Sequence, residues 1–146
     1  MPVAYHSRRR VEGLAYRYYG DLAELAADSD FLVAICPGGA ATKHIVDEKV
    51  LKALGPEGVL VNVARGSVVD EAALVRCLQD GSLGGAGLDV FEDEPRVPEA
   101  LLAMEKVVLA PHVGSATHET RNEMGRVTVD NLLAHFAGKP VLTPVG

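Results

Sequence analysis

Three side chains with complementary chemistry, Arg65, Glu94 and His112, each follow an apolar segment of the sequence. A histidine can give or take a proton near neutral pH, and a nearby carboxylate can orient the imidazole and raise its pKa. The guanidinium fork of an arginine suits a carboxylate or a phosphate. Together the three residues predict an acid–base site that acts on an anionic substrate.

Each of these residues also has a plainer interpretation. Arg65 is compatible with a solvated loop arginine paired with an acid, and Glu94 with an ordinary loop carboxylate before a proline. His112, which follows a proline, is compatible with a structural histidine, and Asp89 with a cap for the loop after it. The catalytic interpretation is favoured because Arg65, Glu94 and His112 together form a working set.

The elements that position these side chains alternate between strands and helices. Strands are predicted over 3–6, 14–19, 31–36, 58–61, 84–89 and 106–110. Helices are predicted over 22–27, 47–54, 70–80 and 117–137, with a helical turn within 97–104, and Asp21, Asp47 and Asp70 suit their starts. This alternation predicts an α/β fold with a mainly parallel, doubly wound sheet.

Polar or turn-forming residues follow the strands predicted over 3–6, 31–36, 58–61, 84–89 and 106–110. In a parallel sheet they lie at one edge, the carboxyl ends of the strands, where α/β folds bind ligands. The residues expected at this edge are Ser7 and Arg8, Cys36 and Pro37, Val63 to Arg65, Asp89 with Glu94, and His112 to Gly114. The sequence therefore predicts one crevice that contains residues able to bind a ribose or a phosphate, together with an arginine, a carboxylate and a histidine.

The overall composition limits the classes of function. The chain has 146 residues and a net charge of −6, which gives no support for nucleic acid as a partner. Cys36 and Cys77 stand in apolar surroundings without metal-ligand spacing, so we expect reduced core thiols in a cytoplasmic protein. No apolar run suits a membrane span, and no leader is visible. Because a strand begins almost at Met1, we expect further sequence upstream.

Three ordered motifs carry a resemblance to a known family. They are the run 61–66 (VNVARG) followed by Val69-Asp70, the run 87–95 (GLDVFEDEP), and the run 109–114 (LAPHVG) followed by Ser115-Ala-Thr117. From about Val3 to Pro140 the chain resembles the D-isomer-specific 2-hydroxyacid dehydrogenases, with features of the hydroxypyruvate/glyoxylate or aryl-pyruvate reductase type. The resemblance implies a Rossmann-type cofactor domain, a second substrate domain and a homodimer.

The resemblance also implies roles for individual residues. Arg65 would bind the substrate carboxylate and keto oxygen, and His112, paired with Glu94, would donate the proton to the carbonyl. Asp89 and the Val63 carbonyl would meet the nicotinamide carboxamide. The cofactor-binding residues expected are Ser7, Arg8, Arg9, Cys36, Pro37, Val63, Ala64, Asp89, His112 and Gly114; no metal ligand is expected.

One departure from the family pattern concerns the phosphate-binding turn. The Gly-x-Gly-x-x-Gly turn that the family places before its second strand has no counterpart, and Gly84 to Gly87 leads into a strand instead of opening a helix. We therefore expect an incomplete fold that lacks the first strand. Residues 1–114 would be the C-terminal part of the dinucleotide-binding domain, and 115–146 a helix and tail that pack against an absent substrate domain. Alone, the chain is expected to be inactive.

The turn after the first predicted strand indicates the preferred cofactor. A strand that ends in an acid bonds the ribose hydroxyls of NAD and repels a 2′-phosphate. Here the strand ends in Ser7-Arg8-Arg9, with no acid before Glu12. Serine and arginine can grip a phosphate, so NADP is expected, with NAD possible. A solvated basic turn is the alternative interpretation.

Three functions remain open at the level of sequence. The favoured one is a D-specific NAD(P)-dependent reductase of 2-keto acids, with the substrate side chain read mainly by the absent domain. A nucleotide-sensing protein like the family's corepressor relatives is the second, and an inactive structural fragment is the third. Formate dehydrogenases are disfavoured because they carry glutamine where Glu94 stands.

Overall fold

The computed structural model describes residues 1–145 and divides the chain into two compact units, Met1–Pro111 and His112–Gly146. This boundary lies three residues before the expected division at 114. The second unit contains helix α5 (His118–Phe136). The first unit contains β1 (Ala4–His6), β2 (Arg17–Tyr19), α1 (Leu22–Ala27), β3 (Phe31–Ala34), α2 (Glu48–Leu54), β4 (Val59–Asn62), α3 (Glu71–Asp80), β5 (Gly85–Leu88), α4 (Glu99–Leu102) and β6 (Val107–Leu109).

Aspartate side chains begin the first three helices, as the sequence predicts. The Asp21 carboxylate accepts two backbone N–H groups in the first turn of α1. Asp47 accepts the Val50 N–H at 3.0 Å, and Asp70 accepts the Ala73 N–H at 2.9 Å. Because a helix leaves its first N–H groups without backbone partners, these carboxylates determine where each helix starts.

All strand pairs in the structure are parallel, which confirms the predicted α/β class. β1 pairs with β2, and β3, β4, β5 and β6 form a four-stranded sheet in that order. β1 and β3 are not paired with each other. In the family that the sequence resembles, the first strand is expected to lie between these two. Within residues 1–145, β1 and β3 therefore each have a ladder partner on one side only.

The two faces of the four-stranded sheet differ in burial. On one face Leu60 and Leu88 are buried in the core together with residues of α1, α2 and α3. On the other face Val33, Val61 and Val108 lie in one row across the sheet, and Val33 and Val108 are 51% and 72% exposed. We call this second surface the open face. A doubly wound fold covers such a face with helices.

Glycines allow the backbone to approach closely around β5, as the glycine-rich segment predicts. A Cβ atom on Gly84 would lie 2.6 Å from the Pro56 carbonyl oxygen, and one on Gly85 would lie 2.9 Å from the Lys106 carbonyl oxygen. No real Cβ atom makes contacts this short, so the strand has room only for glycine at these positions.

The two cysteines differ in their surroundings. Cys77 on α3 is fully buried in the core and Cys36 is half-buried just after β3, and both are free thiols. The expectation that both belong to the core is therefore right for Cys77 and only partly right for Cys36, which lies two residues beyond β3 and packs against the core without being buried in it.

Candidate active site

The turn that carries Arg65 is shaped by Asn62, the last residue of β4. Asn62 is 1% exposed; its Oδ1 accepts the Ala64 N–H at 3.1 Å and its Nδ2 donates to the Arg65 carbonyl at 3.2 Å. The amide thus satisfies backbone groups that leave the sheet ladder at the strand end. Sequence analysis did not assign Asn62 a role, although an asparagine at the end of a buried strand is a signal for such a turn.

The Arg65 side chain lies against the loop that follows β3. A Cβ atom on Gly38 would come within 2.8 Å of Arg65 Cγ, so the absence of a side chain at Gly38 makes room for the arginine stem. One guanidinium nitrogen, Nη1, donates to the Ala64 carbonyl at 2.6 Å. The side chain is exposed. Its remaining donors can therefore reach a ligand, and the loop with Pro37 lies beside it.

The Arg65 turn packs directly on the loop that carries Glu94. Gly66 is buried, and a Cβ atom there would lie 1.9 Å from the carbonyl carbon and oxygen of Phe91 and 2.4 Å from the Glu92 nitrogen. Glu94 Oε1 accepts the Phe91 N–H at 3.0 Å, which holds the carboxylate over the same backbone. Arg65 and Glu94 are thus on adjoining loops at the carboxyl ends of β4 and β5.

Asp89 and its neighbours continue this edge of the sheet. The Asp89 N–H donates to the Asn62 carbonyl at 3.0 Å, so the ends of β5 and β4 remain paired one residue beyond the strands. Asp89 is half-buried, Val63 is half exposed and Ala64 is buried. The structure thus places Val63, Ala64 and Asp89 together, as the sequence predicts for neighbouring strand ends.

Acidic side chains surround the Glu94 loop, and Glu71 is the half-buried one among Glu71, Glu92 and Asp93. Glu71, the first residue of α3, accepts the Glu92 N–H on its Oε2 at 3.2 Å. Burial raises the pKa of the Glu71 carboxyl above its usual value, and the nearby Glu92 and Asp93 carboxylates add to the rise, while the Glu92 N–H opposes it. The loop is therefore anchored by a carboxyl group whose ionised form is disfavoured.

The basic turn after β1 is closed by hydrogen bonds. The Ser7 hydroxyl donates to the Arg9 carbonyl at 2.6 Å, and the Tyr18 hydroxyl of β2 donates to the Ser7 carbonyl at 3.1 Å. Arg8 and Arg9 are exposed. The turn therefore has an ordered backbone and presents two guanidinium groups outward.

His112 and Gly114 belong to the second unit. His112 follows Leu109, the last residue of β6, by three residues. Its backbone is left-handed, with φ 55°, a conformation that residues other than glycine rarely adopt. Such a conformation persists where the surrounding structure imposes it, and it is found at functional sites more often than elsewhere.

Neither a membrane-spanning helix nor a metal-binding cluster is found within residues 1–145. No helix within residues 1–145 has both the length and the apolar composition needed to cross a membrane. Over the same residues, no group of three or more His, Cys, Asp and Glu side chains has an arrangement that could hold a metal ion.

Comparison with known proteins supports the family resemblance. The model of the D-isomer specific 2-hydroxyacid dehydrogenase NAD binding domain matches residues 1–114. The chain is 56% identical to hydroxyphenylpyruvate reductase of Plectranthus scutellarioides over 144 residues, covering 99% of this chain and 46% of that protein. A glyoxylate/hydroxypyruvate reductase of Arabidopsis thaliana is 55% identical over the same length and with the same coverage.

Solved structures give the same result. The NADPH-dependent glyoxylate/hydroxypyruvate reductase of Sinorhizobium meliloti, in complex with NADP and malonate, superposes with a TM-score of 0.97 and 54% identity. The match covers 99% of this chain and 46% of that one. The chain therefore spans about half the length of the relatives that it matches.

Proposed function

Because this chain belongs to the D-isomer specific 2-hydroxyacid dehydrogenase family, we propose that it forms the cofactor-binding half of an NAD(P)-dependent 2-keto acid reductase. The observation that carries the proposal is the packing of Gly66 on the Phe91–Glu92 peptide, which brings the Arg65 turn and the Glu94 loop together. The names of similar proteins support keto acids such as glyoxylate, hydroxypyruvate and hydroxyphenylpyruvate as substrates.

In the proposed reaction the residues of this chain bind the substrate and move one proton. Arg65 binds the substrate carboxylate through its guanidinium fork and polarises the keto oxygen. When bound, the reduced nicotinamide supplies the hydride that adds to the keto carbon. His112 gives its proton to the keto oxygen as this becomes a hydroxyl, and takes it back in the reverse direction. In this proposal the role of Glu94 is to orient the imidazole for the proton transfer.

The basic turn after β1 supports NADP as the preferred cofactor. The turn is closed on itself by the Ser7–Arg9 bond and directs Arg8 and Arg9 outward, which fits a 2′-phosphate and not a bare ribose diol. The other cofactor contacts proposed are with Cys36, Pro37, Val63, Ala64, Asp89, His112 and Gly114.

Steady-state kinetics of the full-length protein test this proposal. With glyoxylate, hydroxypyruvate and hydroxyphenylpyruvate as substrates, the KM for NADPH should be lower than that for NADH. Arg8→Ala should raise the KM for NADPH and leave the KM for NADH unchanged. Lys49→Ala removes another exposed cation and should change neither KM. A lower KM for NADH, or no oxidation of either cofactor, would contradict the proposal.

Two further features suggest that the active protein is larger than this chain. The open face exposes Phe31, Val33 and Val108, and helix α5 exposes Leu133 and Phe136. Apolar surfaces of this kind mark packing or association sites. We propose that a substrate domain and a second subunit cover them in a cytoplasmic homodimer. Cell fractionation and light scattering of the full-length protein test this, and a stable monomer would count against it.

The isolated chain should bind the dinucleotide weakly. In Rossmann-type folds, backbone N–H groups at a helix N-terminus after a glycine-rich turn hold the pyrophosphate, and this sequence has no Gly-x-Gly-x-x-Gly turn. Isothermal titration of the isolated polypeptide with NADPH should show no tight binding. A dissociation constant on the order of 1 μM or below, which corresponds to about −8 kcal/mol, would contradict this expectation.

A further inference from the structure

His44 has a left-handed backbone conformation that residues other than glycine adopt uncommonly. Its φ is 52°, in the left-handed region, although it carries a Cβ atom and lies outside any helix. Glycine is the residue that adopts this conformation without strain. Such a conformation persists where the surrounding structure imposes it, so the contacts of His44 are informative.

The backbone of His44 is bonded to the Arg65 turn. The His44 N–H donates to the Ser67 carbonyl at 2.8 Å, and two residues later the Val46 N–H donates to the Val68 carbonyl at 3.1 Å. Val46 and Val69 form a parallel bridge. The segment over 44–46 thus runs alongside the 3-10 turn Gly66–Val68 that follows Arg65.

The side chain of His44 is bonded to the Glu94 loop. Its Nε2 lies 2.9 Å from Glu92 Oε1, and because an ionised carboxylate only accepts, the ring nitrogen is the donor. The Glu92 N–H donates in turn to Glu71 on α3. The acids around this contact are Glu71, Glu92 and Asp93, and His44 is the imidazole that faces them.

We propose that His44 is a positioning residue that holds the Glu94 loop against the Arg65 turn through its bond to Glu92. This inference rests on the proposed reductase function, since Arg65 and Glu94 are the groups whose spacing it would maintain. The two side chains of the pair are 35% and 37% exposed, and exposed pairs contribute little to global stability. Its effect should therefore appear in loop geometry and turnover, not in unfolding.

Four variants of the full-length enzyme separate these effects. His44→Asn tolerates the left-handed backbone but is too short to reach Glu92, and His44→Gly relaxes the backbone and also removes the bond. Both should lower kcat about tenfold, because misplacement of a reacting group by an ångström costs up to a hundredfold. Glu92→Ala should do the same. Glu92→Gln retains an oxygen that accepts from Nε2 and should rescue most of the activity.

A double-mutant cycle and a control complete the kinetic test. His44→Asn combined with Glu92→Ala should be no slower than either single variant, because both remove the same interaction. Lys52→Gln, which removes an exposed ion pair with Glu48 on α2, should leave kcat unchanged. Affinity for NADPH should change in none of them. Additive losses, or parental kcat in His44→Asn, would overturn the proposal.

Hydrogen exchange on the chain itself distinguishes failure of this inference from failure of the proposed function. The Phe91 and Glu92 N–H groups are hydrogen-bonded to Glu94 and Glu71. In His44→Asn their exchange should accelerate about tenfold, while the amides of β4 keep their protection. If the parental enzyme reduces no keto acid, the proposed function fails, and unchanged exchange at both amides would refute the positioning role independently.

Discussion

Among the glycine-to-alanine substitutions, Gly66→Ala should disturb the candidate site most. The added Cβ atom would lie 1.9 Å from the carbonyl carbon and oxygen of Phe91, whereas 3.0 Å is the shortest separation that real Cβ atoms show. The Phe91–Glu92 peptide must therefore retreat by about 1.1 Å, the difference between these distances. Because the obstructing atoms are backbone, no rotamer change can relieve the clash.

Two consequences of this displacement can be measured. Overpacking of this kind typically costs about 1–3 kcal/mol, so the free energy of unfolding in urea should fall by at least that much. The Glu94 loop moves with the peptide, and an ångström of misplacement can cost about a hundredfold in turnover. Steady-state reduction of glyoxylate by the full-length protein should therefore show kcat lowered by one to two orders of magnitude, or about 10–100-fold.

Two glycine variants serve as matched controls. Gly84→Ala introduces a Cβ atom 2.6 Å from the Pro56 carbonyl oxygen at the opposite end of β5, so it should lose stability and keep kcat. Gly20→Ala meets no atom within 4 Å and should change stability by less than about 0.5 kcal/mol. Parental kcat in a folded Gly66→Ala protein would refute the claim that this contact positions the loop.

Three other substitutions test separate parts of the molecule. Asp70→Ala removes the acceptor of the Ala73 N–H at the start of α3 and should cost about 0.5–2 kcal/mol in urea unfolding, whereas Asp70→Ser should cost less. Glu71→Gln should stabilise the protein at pH 7. The pKa of the Glu71 carboxyl is raised in the folded protein, so the folded state loses stability when this carboxyl ionises as pH rises above about 4, and glutamine removes that loss. The gain in the free energy of unfolding should vanish near pH 3. An equal gain at pH 3 and pH 7 would contradict a raised pKa of Glu71. His112→Ala in the full-length protein should lower kcat by about 10²–10⁴ across the pH range, and near-parental turnover would exclude the proposed role as proton donor.

Features controlled by neighbouring residues were predictable from the sequence. Asp21, Asp47 and Asp70 start their helices as expected, because a cap is formed within three residues of the chain. The end of the helix over 70–80 at Gly81 was also predicted, and Gly81 has the left-handed φ of 80° that favours glycine. The strand ends were less accurate: the strand predicted over 31–36 stops at Ala34, since ladder bonds to β4 decide its length.

The assignment of candidate residues divides in a similar way. Arg65 and Glu94 were selected from residue type and position after a strand, and the structure places them on adjoining loops. The role of Asn62 was missed although its signal is local. The role proposed for His44 could not be found in the sequence, because its partner Glu92 is 48 residues away and no periodic pattern links them.

The sequence by itself determined the class of fold, the helix starts and the edge of the sheet at which chemistry is expected, because hydrophobic periodicity, caps and strand–helix alternation are local or repetitive signals. Only the tertiary structure decided which loops touch there. The fit of Gly66 against Phe91 and the bond between His44 and Glu92 depend on how β4 and β5 bring distant segments together. Such contacts arise from packing in three dimensions, where separations along the chain no longer limit which atoms meet.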